Sequence, residues 1–288
     1  IQGVFENLEP DLPANAGSFR RIDLRLKDNC VVGVPRHPTS CSVATTNVAD
    51  RVANPVQCAI AEIAEGKGMA ECGAVIPPSV AVISGIHPRD GKPFINQVFL
   101  GMTGGAASPS ADAWLTIGHV GNAGMCNLDS VELDELRQPL YVASRRLLPD
   151  TEGAGEHVGA PSIAVEFGPV GCAISVGYVS DGVVNAALGT RGGGKGGPAN
   201  QYLIEENGSR EPLPSCAQVD VADRELVLSI SAGGGGYGDP KSRPAEKVAR
   251  DVRLGRITAE RARTVYGVAL GEDGSIEPEE TARLRAAA

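Results

Sequence analysis

The chain has 288 residues, enough to bury a sizeable core as one large or two medium domains, and its 42% hydrophobic and 21% charged residues are those of an ordinary globular protein. A net charge of −9 and only 4% aromatic residues argue against nucleic acid, a base-stacking role and anionic membrane. The cysteines Cys30, Cys41, Cys58, Cys72, Cys126, Cys172 and Cys216 are odd in number, scattered and without a C-x-x-C pair, which excludes a disulfide framework or structural zinc site and points to free thiols in a reducing cytoplasm.

The first residue is Ile1 rather than Met, which implies that residues were removed or that the chain is a fragment of something longer. No signal-peptide pattern and no apolar run of the ~18 residues of a membrane span is visible. Residues 1–40 look irregular: Asp11 to Asn15 is a turn, and Phe19 to Leu26 alternates like a half-exposed strand. A helical pair is expected near residues 42–66. Ser42 caps the first helix, Asn54-Pro55 opens the second, and Gly66 stops it. The centre reads mostly as strand. Val80 to Ser84 and Phe94 to Leu100 flank the hairpin chemistry of His87 to Lys92. Cys172 to Val179 and Val183-Val184 are joined by Ser180-Asp-Gly182, a second hairpin signal. Leu226, Leu228 and Ile230 share one strand face. Long glycine-rich connections at 101–112, 118–130, 151–161 and 187–200 lie between these strands, and loops of this kind are usually functional or sit in an interface. The end is helical, with Pro244 and Thr258 as starts, Gly255 and Gly267 as stops, and a last helix from Pro278. These elements predict an α+β fold with a β-rich core. The expected division is a domain over 1–242 and a helical carboxy-terminal appendage over 243–288.

Three constellations can carry chemistry. Thr190-Arg-Gly-Gly-Gly-Lys-Gly-Gly-Pro198 places Arg191, Gly192, Gly193, Gly194 and Lys195 where backbone N–H groups and two cations can meet a phosphate or carboxylate, or form a flexible solvent loop. It is not a P-loop, because G-x-x-x-x-G-K-[ST] is absent. His119, with Asn122, Asn127, Glu132, Asp134 and Glu135 nearby, can hold a metal or a substrate carboxamide, or simply organise a hydrogen-bonded loop. His157, in Glu152-Gly-Ala-Gly-Glu-His157 downstream of Arg145-Arg146, can shuttle protons near neutral pH, or belong to a surface loop of solvated charges. No G-x-S-x-G nucleophile elbow occurs, and no paired histidine spacing marks a metal site. Cys41 begins a helix, which fits a lowered thiol pKa and ordinary capping equally.

The most specific stretch is Ser231-Ala-Gly-Gly-Gly-Gly-Tyr-Gly-Asp-Pro240. Gly233, Gly234, Gly235 and Gly236, followed by Tyr237, Gly238 and Asp239, make an interface or structural loop where glycine reaches positive φ or lets backbone approach closely. With Pro244 to Gly255 and Thr258 to Gly267, this succession resembles the carboxy-terminal end of the hydantoinase B/oxoprolinase family. Further landmarks are Asp11 to Arg20, Asn47 to Pro55, Asn127 with Glu132 and Glu135, and Arg191-Gly-Gly.

The resemblance implies a subunit, or half-subunit, of an ATP-dependent cyclic amide hydrolase or ketone carboxylase. ATP and magnesium are then held by a hydantoinase A-type partner subunit, which phosphorylates a carbonyl or amide oxygen of the substrate. Hydantoins, 5-oxoproline, lactams and ketones are the substrates implied. Family members are roughly twice as long, and their amino-terminal half carries Asp and His residues that hold a divalent metal, in signatures containing Asn-Asp-Pro and Gly-Gly-x-His. Neither signature occurs here, and Asp112 and His119 do not reproduce them, so no metal ligand transfers to this chain. The metal is expected in an amino-terminal half or a metal-bearing subunit that acts as a second partner. In one reading this chain closes the active-site cleft with Arg191 and Lys195. In the rival reading it is a non-catalytic scaffold, and a third is a stand-alone small-molecule binding protein. Activity of the isolated chain is not expected.

Overall fold

Alternating apolar residues build two antiparallel sheets in the computed structural model, which describes residues 9, 11, 13, 15–20, 22–30, 32–39, 47–73, 76–117 and 127–287. The first sheet contains β1 (Val82–Ile86), β2 (Pro93–Gln97), β5 (Ile174–Val179) and β8 (Cys216–Val221), in the order β2-β1-β5-β8. The second contains β3 (Leu140–Leu147), β4 (Ile163–Pro169), β6 (Asn200–Ile204), β7 (Arg210–Pro212) and β9 (Leu226–Ile230), in the order β3-β4-β9-β6-β7. One apolar core joins them. Ile83, Ile174, Val176 and Tyr178 come from the first sheet, and Ile163, Val165, Phe167 and Val227 from the second. Each such side chain contributes about 1.5–3 kcal/mol on burial. The central strand β4 is buried at all but one position, whereas β5 alternates, as strands covered on two faces and on one face must.

The hairpin at 87–92 forms as expected, closed by the His87 N–H donating to the Lys92 carbonyl, with Gly91 at φ 68°. Three expectations fail. Residues 22–27 form no strand, because no neighbouring strand offers them a ladder. Val183 and Val184 form no strand either: β5 already pairs with β1 on one side and β8 on the other, which leaves no free edge for a local hairpin. The helical pair is one helix where it is described. α1 (Ala49–Ile63) runs through Pro55. Proline removes a donor and crowds the preceding turn. Here the Asn54 side-chain amide donates to the Asp50 carbonyl at 3.0 Å and ties that turn together. Ser42, the expected cap, lies outside the described residues.

The end of the chain follows its cap signals. After α2 (Val131–Arg137), the remaining helices are α3 (Ala245–Arg253), α4 (Ala259–Thr264) and α5 (Pro278–Ala286). Gly255 (φ 65°) ends the turn after α3, the Thr258 hydroxyl accepts from the Arg261 N–H at 3.1 Å, and Gly267 (φ 63°) closes the turn after α4. Val248, Ile257, Ala262, Tyr266 and Val268 form a second core with Ala154 and Val158. Among the described residues, no helix is long and apolar enough to cross a membrane.

The glycine-rich connections are the third part of the fold. The run 231–238 continues directly from β9 and is buried throughout. Its donors rotate: Gly233 and Gly236 donate to Gly197 and Gly194, Gly234 and Tyr237 to Ala160 and His157, and Gly235 to Glu71. A donor direction that returns every third residue is the period of a polyproline II-like chain, which makes no internal hydrogen bonds and satisfies its groups on neighbours. The neighbours here are the segments around 71–73, 104–107, 151–160 and 187–197. An added Cβ would lie 1.7 Å from the Gly105 oxygen at Gly234, 2.0 Å from the Leu188 oxygen at Gly235 and 2.0 Å from the Ala154 oxygen at Gly236. None of Gly233–Gly236 has positive φ. The glycines are therefore required by close approach and not by left-handed backbone.

Gly234→Ala and Gly235→Ala are each expected to cost about 3 kcal/mol through overpacking, or roughly 6 °C or more in melting temperature. Gly177→Ala, whose Cβ would meet only the Val82 oxygen at 3.8 Å, is the matched control and is expected to stay within about 2 °C of wild type. Equal melting temperatures for all three variants would mean that the run is slack.

Candidate functional site

The glycine bundle fixes where the sequence-predicted groups stand. Tyr237 lies between two segments: its backbone exchanges hydrogen bonds with His157 (3.0 and 2.9 Å) and bridges Thr190 on the other side. Its ring packs on Ala61 and Ala107. His157 is thus anchored by its main chain to the glycine run. Its Nδ1 is buried without a hydrogen-bond partner, 3.7 Å from Asp112 Oδ1. Asp239 is a cap, its carboxylate accepting from the Lys241 N–H at 2.9 Å. His119 lies outside the described residues.

The loop 190–197 is mostly occupied by its own packing. The Arg191 backbone takes φ 53°, which turns its side chain onto the end of α1. The guanidinium donates to the carbonyls of Ala61 (2.6 Å) and Glu62 (3.2 Å), two groups that a helix end leaves without intrahelical donors. The Arg191 N–H and the Thr190 hydroxyl both donate to the Glu62 carboxylate, and these bonds hold the Glu62 pKa below its ordinary value, the Thr190 bond first. The N–H groups of Gly193, Gly194, Gly196 and Gly197 donate to Thr190, Ala154, Ala187 and Thr151. Gly192 and Lys195 remain: both are exposed, and their N–H groups and the Lys195 ammonium have no partner among the described residues.

Sequence reasoning missed two buried ionic clusters. Arg243 is only 1% exposed and binds Asp112 with both terminal nitrogens, at 2.7 and 2.9 Å. It also donates to Asp251 (2.8 and 3.1 Å) and to the Glu156 carbonyl. Burial works to raise the Asp112 pKa, but the Arg243 bonds and charge outweigh it and hold the carboxyl below its ordinary value of 3.8. In the second cluster, Glu152 Oε1 accepts from Arg261 (2.6 Å) and the Tyr266 hydroxyl (2.8 Å), while Oε2 is buried without a partner. Burial pushes the Glu152 carboxyl up in spite of both donors. The Asp112–Arg243 partners are 131 residues apart in sequence. The only local signal is that Arg243 stands between Pro240 and Pro244.

Above Asp112 opens a cavity of about 260 Å³, walled by Met69, Ala106, Trp114 and Ile117 with Ser108 and Asp112 at its polar side. Trp114 is 72% exposed. The arrangement suits a small, largely apolar ring with one polar edge. Among the described residues, no group of three or more His, Cys, Asp or Glu side chains stands close enough to share a metal ion.

Residues 2–240 match the hydantoinase B/oxoprolinase family. The chain is 26% identical over 296 residues to caprolactamase subunit beta of Pseudomonas jessenii, covering 99% of this chain and 49% of that one. It is 23% identical to an uncharacterized protein of Methanocaldococcus jannaschii, covering 96% of this chain and 47% of that one. The chain thus spans about half the length of the curated relatives it matches. Among solved structures, the ATP-dependent caprolactamase from Pseudomonas jessenii shares the fold, with a TM-score of 0.78, 24% identity, and 99% of this chain and 50% of that one covered. A nucleotide-free acetone carboxylase gives a TM-score of 0.58 at 20% identity, covering 76% and 33%.

Arg243→Met is expected to lower stability at pH 7 by about 3 kcal/mol, because it removes the cation that bridges the buried Asp251 and the half-buried Asp112 and leaves Asp251 only Arg256, 3.7 Å away. Asp112 has a depressed folded pKa, so its contribution is present above 3.8 and is lost as pH falls through the lower folded value. The melting-temperature gap between wild type and variant should therefore be full at neutral pH and shrink below about pH 4. A gap that is constant from pH 7 to pH 3 would contradict this assignment.

Proposed function

Because the chain belongs to the hydantoinase B/oxoprolinase family, we propose that it is half of a subunit of an ATP-dependent enzyme that opens a cyclic amide. The observation that carries this is the match of 99% of the chain to a caprolactamase subunit of which it covers 49%. In this reading ATP and magnesium are held by a hydantoinase A-type partner subunit, and the amino-terminal half of the family-length protein, or a metal-bearing subunit, supplies the divalent metal. ATP supplies a phosphoryl group that activates the amide oxygen before the ring is opened. The isolated chain is inactive, and the complex works in the cytoplasm. Residues 1–242 form the family domain and 243–288 an appendage pinned to it by Arg243 and Arg261.

This chain's own part is to hold one wall of the site. The apolar faces of Met69, Trp114 and Ile117 receive ring methylenes, and His157, fixed by the glycine run, stands ready to move a proton at its imidazole. Lys195 and the Gly192 N–H are the groups of their loop left free to meet a phosphorylated intermediate, whereas Arg191 secures α1. A second reading, the scaffold, is favoured by one specific observation: most donors of the glycine loops are committed to backbone oxygens of the same chain. Ketone carboxylation is the alternative chemistry and differs in requiring bicarbonate.

The test is reconstitution with the ATP-binding partner and the missing half, followed by measurement of ring-opened product and phosphate release per assembled complex. Lactam-dependent ATP hydrolysis without bicarbonate is expected. Lys195→Ala should lower turnover about 10-fold or more, with assembly and melting temperature unchanged. Arg191→Ala should lower stability by about 1 kcal/mol and change turnover less than Lys195→Ala. Bicarbonate-dependent product would favour carboxylation, and less than a threefold fall for Lys195→Ala would favour the scaffold.

A further inference from the structure

Helix α1 is amphipathic in the reverse sense. The face turned toward the protein buries Asp50 (1% exposed) and Asn54 (2%) beside Ile60 and Ala61. The face turned to solvent carries Val52, Pro55, Val56, Ala59 and Ile63, all exposed, at the spacing of one helical stripe. Val52, Val56 and Ile63 are 38%, 37% and 82% exposed. In a chain folding for itself alone, the carboxylate and the amide would face water and the aliphatic side chains the core.

The buried polar face is not an error of packing, because its groups are satisfied. Asp50 pairs with Arg51 at 2.6 Å, and the Asn54 amide donates to the Asp50 carbonyl and carboxylate. The Asn54 oxygen accepts from the Cys72 N–H at 2.7 Å, which ties α1 to the segment whose Glu71 carbonyl receives the Gly235 N–H. The orientation of α1 is thus set from within by hydrogen bonds to the glycine bundle, and Arg191 holds its far end. Rotation to bury the stripe would break all of these contacts. A contiguous exposed apolar stripe held in this way marks a docking surface.

We propose that the Val52–Val56–Ile63 face of α1 docks the remaining half of the family-length protein. This rests on the reading that the chain works with that half. The occupant follows from length: the relatives that match nearly all of this chain carry about as much chain again outside the match. A segment of that size is able to cover the whole stripe, and its complementary surface is an apolar groove with a cation opposite the exposed Glu65 at the Ile63 end.

The test expresses this chain and the polypeptide corresponding to the unmatched half as separate proteins and measures their association by calorimetry and light scattering. Val56→Glu/Ile63→Glu is expected to weaken binding about 30-fold or more, while Ile95→Glu, an exposed apolar site on β2, stays within about threefold of wild type. As a readout that does not depend on that variant folding, Ile63→Cys should react with a maleimide about 10-fold more slowly in the complex than in the free chain. Wild-type affinity of the double variant, equal weakening by Ile95→Glu, equal labelling rates, no binding of the two wild-type polypeptides, or a homodimer of this chain through α1 would each overturn the proposal. The functional reading fails separately. A complex that assembles through α1 but shows no lactam-dependent ATP hydrolysis keeps the docking face and removes that reading, and an active complex indifferent to both α1 substitutions does the reverse.

Discussion

Backbone packed directly on backbone at Gly233–Gly236 is the constraint from which the rest of the structure follows. Carbonyl oxygens of Gly105, Leu188 and Ala154 occupy the places where side-chain carbons would stand at Gly234, Gly235 and Gly236. Four segments distant in sequence can converge there only because none needs that volume. Each also receives or donates a main-chain hydrogen bond, so the run is as fully satisfied as a sheet strand without belonging to a sheet. Glycine loses the most conformational freedom on folding. The hydrogen bonds to several neighbours at once, in a buried setting, offset that loss.

The run continues β9, which pairs with β4 and β6, and Ser231 still donates to Ile163. The register of the second sheet therefore sets the register of the bundle, and the bundle in turn places His157, Thr190 and Glu71 around it. Arginines then lock the periphery. Arg191 closes the end of α1, Arg243 draws Asp112 and Asp251 together under the carboxy-terminal helices, and Arg261 holds Glu152. Each uses several donors of a planar guanidinium, which a lysine cannot reproduce. The outcome is a stiff frame that leaves an open apolar cavity beside Trp114 and an apolar face on α1.

What was legible in the sequence was local. The hairpin at 87–92, the caps at Thr258 and Gly267, and the strand 226–230 depend on neighbouring residues, and they form where their signals stand. The importance of the glycine run was also legible, but its cause was not. Positive φ and close approach leave the same glycines in a sequence, and only the positions of Gly105 and Leu188 decide between them. Val183-Val184 looked like a strand because a hairpin signal preceded it, but β5 had both edges taken by strands far away in the chain. Pro55 looked like a helix start because the side chain of Asn54 that bridges the turn cannot be seen in the sequence. Arg191 looked free for an anion because its partners are backbone carbonyls 130 and 129 residues away, which carry no side-chain signature. The Asp112–Arg243 pair was illegible because its partners stand 131 residues apart. Long-range pairs leave no periodicity.

Backbone amide hydrogen exchange across 231–238 tests the central claim most directly. If these glycines form a buried, mutually hydrogen-bonded bundle, the amides of Gly233, Gly234, Gly235 and Gly236 will exchange as slowly as those of the β4 and β9 core, such as Val165 and Val227, because opening them requires opening the sheets. If they exchange as fast as the exposed turn at Asn207 and Gly208, the run is a flexible loop and the frame described here does not exist.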